Sequence, residues 1–83
     1  MKLGIYAVYD KMTGYMLPNF KYNDEQAIRD FGYDITSNEM SLIKANPADF
    51  NLQKVGTYDT NTGVIEPCKI TILCDAGQFI RKE

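Results

Sequence analysis

Lys2-Leu3-Gly4-Ile5-Tyr6-Ala7-Val8-Tyr9-Asp10, followed at once by Lys11-Met12-Thr13-Gly14, is the stretch on which the fold turns. Leu3, Ile5, Ala7 and Tyr9 alternate with Lys2, Gly4, Tyr6 and Val8, and the β-branched and aromatic content predicts a strand over residues 3 to 10. Both faces carry apolar side chains, so this strand is expected at the centre of a sheet. Asp10 can open a turn with its side chain, and Gly14 can close it at positive φ. A second strand, Tyr15 to Tyr22, then returns. Pro18 has no N–H for a ladder, which puts that strand at a sheet edge or bends it.

Beyond this hairpin, Asn23 can cap a helix and Gln26 can reach back to it, while Asp24 and Glu25 suit the positive end of the helix dipole. Ala27, Ile28, Phe31 and Ile35 recur at helical spacing and should face the sheet, with Arg29, Asp30 and Asp34 toward solvent. Gly32 leaves two ends open, one near itself and one near Thr36. Ser37, Asn38 and Glu39 can cap a short second helix through Met40, Leu42, Ile43 and Lys44. Asn46-Pro47-Ala48-Asp49-Phe50 reads as a turn with Pro at its first helical position. A third strand spans roughly Asn51 to Tyr58, with Gly56 marking a bulge. Asp59 to Gly63 turns the chain into Val64-Ile65-Glu66, and after Pro67 a strand from Ile70 to Cys74 completes the sheet. The tail from Asp75 to Glu83 is expected to be partly free, from about residue 76, or to contact a partner.

These elements predict an α+β fold: an antiparallel sheet of four or five strands, in the order hairpin, helix, short helical turn, hairpin and final strand, with one main helix packed on one face. Tyr9-Asp10-x-x-Thr13-Gly14 and Tyr58-Asp59-x-x-Thr62-Gly63 echo each other. Two hairpins using the same turn chemistry account for that more simply than duplication does.

Eighty-three residues make one domain, since a second core would have almost nothing left to bury. A hydrophobic fraction of 45% and a mean hydropathy of −0.32 are those of an ordinary globule. No apolar run approaches the ~20 residues a bilayer requires, so no membrane partner is expected. The N-terminus lacks the apolar core of a secretory signal, which implies a cytoplasmic protein. Small chains bury little of their surface, so self-association into a homodimer or higher oligomer is expected.

Histidine is missing, which removes the commonest general base and zinc ligand; neither an enzyme nor a metal or other cofactor is expected. No Gly-rich phosphate loop occurs. Cys68 and Cys74 lie six apart on one expected strand, too far to bridge each other, and read as small buried hydrophobes.

Aromatic residues stand out, with six Tyr and four Phe. On a sheet, rings beside Lys suit single-stranded nucleic acid, because any base stacks on a ring while ammonium groups follow the phosphates. Tyr6, Tyr15 and Tyr58 fall near Lys11, Lys21 and Lys54 on this strand map; Arg81 and Lys82 add charge at the C-terminus. The same tyrosines equally suit a half-buried sheet or an oligomer seam. Nine Lys and Arg against eleven Asp and Glu give a net charge of −2, so affinity for nucleic acid would need a local patch.

Leu3-Gly4-Ile5-Tyr6-Ala7-Val8-Tyr9-Asp10, Ala27-Ile28-Arg29-Asp30-Phe31, and Asn46-Pro47-Ala48-Asp49-Phe50-Asn51-Leu52 running into Gly56-Thr57-Tyr58-Asp59 with Thr62-Gly63 behind form a pattern over most of the chain. In it the chain resembles the small nonstructural DNA-binding protein of gokushovirus-type microviruses, bacteriophages with circular single-stranded DNA. The resemblance implies a non-enzymatic protein of the bacterial host's cytoplasm that binds single-stranded DNA. It further implies a part in genome replication, at the switch to making and packaging single strands, with a viral or host replication protein as a further partner. It assigns no binding residue. The alternative reading is an interaction or assembly adaptor that works as a homo-oligomer without touching DNA.

Overall fold

The computed structural model describes residues 1–37, 43 and 45–79. It is an α+β fold with a five-stranded antiparallel sheet, as the alternation and capping signals predict. Strand β1 (Lys2–Asp10) lies at the centre, bordered on one side by β2 (Gly14–Tyr15) and β3 (Asn19–Lys21) and on the other by β4 (Phe50–Asp59), with β5 (Ile65–Asp75) outermost. Pro18 has the predicted effect: the returning strand is interrupted over residues 16–18 and splits into two short edge pieces. On the far edge the expectation of separate segments around Pro67 is corrected. Edge position tolerates a residue with no outward N–H, and β5 runs unbroken through it.

Both echoing turns close alike. Asp10 Oδ1 accepts from the Met12 N–H at 2.9 Å and Oδ2 from the Thr13 hydroxyl at 2.9 Å, while Asp59 Oδ1 accepts from the Asn61 N–H at 2.9 Å. Gly14 and Gly63 supply the left-handed residues, at φ 108° and 76°. One register slip in the β1–β4 ladder and one in the β4–β5 ladder surround Val55, beside the predicted bulge at Gly56, and a second slip in the β4–β5 ladder falls between Leu52 and Gln53, where Leu73 is the extra residue. A Cβ on Gly56 would stand 2.6 Å from the Glu66 carbonyl oxygen, so this close approach of β4 and β5 requires glycine.

Helix α1 (Asp24–Thr36) covers one face of the sheet, taking the longer of the two predicted ends. Asn23 Oδ1 accepts from the Gln26 N–H at 2.8 Å. The Gln26 side chain does not reach back; it donates to Asp30, one turn on, at 3.1 Å. Tyr6, Val8, Phe50, Leu52 and Cys74 from the sheet meet Ala27, Phe31 and Ile35 from α1, with Ile43 and Ala76, in one core. Pro47–Asp49 forms a 3-10 turn led by its proline. Of the predicted second helix, residues 38–42 and 44 lie outside the described residues.

The expectation of a free tail from about residue 76 is corrected for its first part. Ala76–Phe79 forms a 3-10 turn, Ala76 is fully buried, and the Phe79 ring meets Phe31 edge-on with centroids 5.9 Å apart. Gly32 explains this docking: a Cβ there would lie 2.6 Å from the Phe79 ring. The glycine that weakens the helix locally thus opens the seat for the chain end.

Candidate functional site

Alternation along β1 sorts its side chains between two faces. Tyr6 and Val8 enter the core beneath α1, so Leu3, Ile5, Ala7 and Tyr9 point the other way, onto a face that no described element covers. Register extends the sorting across the sheet. Phe20 pairs with Ile5, Tyr15 with Tyr9, Tyr58 with Leu3, Gln53 with Ala7, Asn51 with Tyr9 and Ile72 with Gln53, which places all six on the uncovered face. Side-chain contacts agree. The Tyr9 and Tyr15 rings lie 4.8 Å apart and tilted by 52°, and Phe20 meets Tyr58 edge-on at 5.4 Å. Beneath the rings, the Tyr15 hydroxyl donates to Gln53 Oε1 at 2.8 Å, and Gln53 Nε2 donates to Asn51 Oδ1 at 2.8 Å.

This face is therefore an aromatic and amide platform. Tyr15 remains 51% exposed and Phe20 45%, enough for a base to stack on either. Ile5 and Ala7 are buried at the middle of the sheet, Ile5 between Phe20 and Gly56 in the ladder and Ala7 beside Gln53. Ile65 and Ile72 extend the apolar surface along β5.

The predicted site residues divide. Tyr15 and Tyr58 stand on the platform, and Lys11 is exposed in the turn just past Tyr9. Tyr6 does not belong with them. Its ring is 1% exposed beneath α1, and its hydroxyl donates to Asp24 Oδ1 at 2.6 Å, so no base can reach it. Burial, reinforced by that hydrogen bond, pushes its phenol well above the ordinary tyrosine range and keeps it neutral. Lys21 and Lys54 also lie on the helix side. Lys21 pairs with Asp30 at 2.8 Å and Lys54 with Asp24 at 3.4 Å, so both ammonium groups already face carboxylates. The hydrogen bond from Lys21, with a second from Gln26, holds the Asp30 carboxyl below its usual range. Arg81 and Lys82 lie outside the described residues.

Sequence reasoning missed Tyr9, Phe20, Asn51 and Gln53. Their signal was parity: Tyr9 falls in the same alternating set as Leu3, Ile5 and Ala7, and Tyr6 in the other.

A cleft of about 580 Å³ opens beside the Tyr6 phenol, lined among others by Lys2, Lys54, Tyr22, Asp24 and Glu25. Two ammonium groups and two carboxylates give it no preference for an anion, which leaves the platform as the better candidate. Cys74 is buried, its thiol pushed up to about 11 by that burial; Cys68 is half-buried, and both are free. Among the described residues, no helix is long and apolar enough to cross a membrane.

No curated protein and no solved structure matches the chain. The family model described as phage ORF5 protein matches residues 3–79, nearly the whole chain, from the β1 platform residues to the docked Phe79. The chain therefore belongs to the phage ORF5 protein family, and is a phage protein.

Proposed function

We propose that this phage protein binds single-stranded DNA without chemistry of its own, on the uncovered face of its sheet, and acts in the host cytoplasm during replication of the viral genome. The stage that fits is the switch to single-strand synthesis and packaging, in a phage of the gokushovirus type. The observation that carries the reading is the gathering of Tyr9, Tyr15, Phe20 and Tyr58 on one open antiparallel face above the Asn51 and Gln53 amides. Flat rings accept any base, at about 1 to 3 kcal/mol each, while carboxamides can hydrogen-bond base edges. Duplex DNA keeps its bases stacked on one another, so a stacking platform selects single strands.

Fluorescence anisotropy of a labelled oligonucleotide, at low and moderate salt, tests the proposal. Binding is expected for single strands over duplex. Alanine at Tyr15 and at Phe20 should weaken it about 5- to 100-fold each while leaving the circular dichroism spectrum unchanged. Absence of binding at roughly tens of micromolar protein in low salt rejects it.

One observation favours a second reading. Ile65, Ile70 and Ile72 are all more than half exposed along β5, an apolar surface that suits a protein partner, viral or host, better than a polyanion. An adaptor of that kind would bind no oligonucleotide.

A further inference from the structure

The four rings of the platform stand in two pairs, and each pair reaches across β1. Phe20 and Tyr58 come from β3 and β4, on either side of β1 and opposite Ile5 and Leu3, and their rings meet edge-on at 5.4 Å. Tyr15 comes from β2, opposite Tyr9, and lies 4.8 Å from its ring; the Tyr15 hydroxyl passes over β1 to Gln53 on β4, opposite Ala7. Gln53 is itself 5% exposed and bonded to Asn51, so that end of the bridge is fixed. The first pair is therefore centred over residues 3–5 of β1 and the second over residues 7–9. Four residues of strand, from position 4 to position 8, separate the two centres, about 13 Å.

That spacing bears on the length of the ligand. Stacked bases in one nucleic-acid strand lie about 3.4 Å apart, so neighbours stacked on each other are too close together to serve both pairs. A stacked oligonucleotide crosses ~13 Å in about four steps, and an extended one in fewer. Resting on the proposed binding of single strands, we infer that the ligand is a stretch of about three to five nucleotides laid along β1, with one base on each ring pair and the bases between them on neither. Lys11, exposed in the turn just past Tyr9, stands at one end of this line, where it meets a phosphate. Between the two pairs, Ile5, Ala7, Gln53 and Gly56 are all uncharged, so the rings fix where the oligonucleotide lies.

Two contacts reinforce each other once one molecule reaches both, because the second then forms at high effective concentration. Affinity should therefore rise in a step at the spanning length, by the worth of one stacked base, about 5- to 100-fold, and only slowly beyond it.

Competition of unlabelled oligothymidylates against a labelled one, read by fluorescence anisotropy over lengths of about two to twelve nucleotides, tests this. The step is expected between about two and five nucleotides, and Tyr15→Ala and Phe20→Ala should each abolish it. Both rings are about half-exposed, so their truncation leaves the fold intact, which circular dichroism checks. The wild-type protein gives a second measurement. In the shortest oligonucleotide beyond the step, a central abasic site should leave affinity within about twofold, whereas a terminal one should return it to that of the shorter oligonucleotides. No binding at any length overturns the inference together with single-strand binding itself. Affinity that grows in proportion to length without a step, a step that survives both substitutions, or a central abasic site as costly as a terminal one overturns the inference alone.

Discussion

Tyr6 has to satisfy two requirements at one position, since its ring fills the core while its hydroxyl needs a partner. Asp24, at the start of α1, supplies that partner, and Gly4 leaves room for the phenol: a Cβ there would collide with the Tyr6 hydroxyl and ring. Gly4→Ala should cost about 1 to 3 kcal/mol in urea denaturation, as overpacking of a filled core does. Tyr6→Phe keeps the ring and drops one hydrogen bond to a half-exposed carboxylate, a loss of about 1 kcal/mol. Alkali makes a further distinction. The Cys74 thiol is raised from 9.0 to about 11 and the Tyr6 phenol is raised from 10.0, so both stay protonated in the folded chain after the unfolded chain has let go. Their stabilisation is complete below pH 9 and is lost from there upward, first through Cys74 and then, past pH 10, through Tyr6. A urea series from pH 7 to 11.5 should show this fall, and Tyr6→Phe should flatten its upper part. That Tyr6 is a core residue could not be read from its alternating set alone, because β1 is apolar on both faces and nothing local says which face α1 covers.

At the level of elements, local chemistry was readable wherever a short-range rule acts: the Asx turns at Asp10 and Asp59, the Asn23 cap, the break at Pro18 and the bulge beside Gly56. Long-range docking was not. Gly32 looked like a flaw near the helix end, and Phe79 looked like part of a free tail; only together do they form a knob and its seat. The pair makes a prediction for this element. Phe79→Ala should remove most of the edge-on contact with Phe31 and lower stability by about 1 to 3 kcal/mol, part of the full range for a buried aromatic because Phe79 is half-buried. A domain of this size loses roughly 4 to 8 °C in Tm per kcal/mol, so thermal melts resolve it readily. Adding volume on the other side of the contact, as in Gly32→Ala, should displace the 3-10 turn and produce a loss of similar size.

The whole molecule separates its charge from its rings. Lys21 and Lys54 face Asp30 and Asp24 on the helix side, while the platform carries aromatic, aliphatic and carboxamide groups, with Lys11 beside it. Sequence showed that rings and lysines interleave along the chain, but strand alternation sends neighbours to opposite sides, so nearness in sequence was not nearness in space. The consequence for DNA binding can be measured. Each phosphate neutralised on a single strand contributes about −0.7 to the slope of log affinity against log salt. A platform served by one or two cations should therefore give a slope between about −0.7 and −1.4, with most of the affinity surviving moderate salt and lost on Tyr15→Ala or Phe20→Ala. Lys11→Ala should remove one increment of the slope and little else. A slope steeper than about −3 would mean that phosphate contacts dominate; with a net charge of −2 and Lys21 and Lys54 already paired, these would have to come from elsewhere, Arg81 and Lys82 first. In that event the rings would be free for a protein partner, and substitutions at Tyr15 and Phe20 would leave oligonucleotide affinity unchanged.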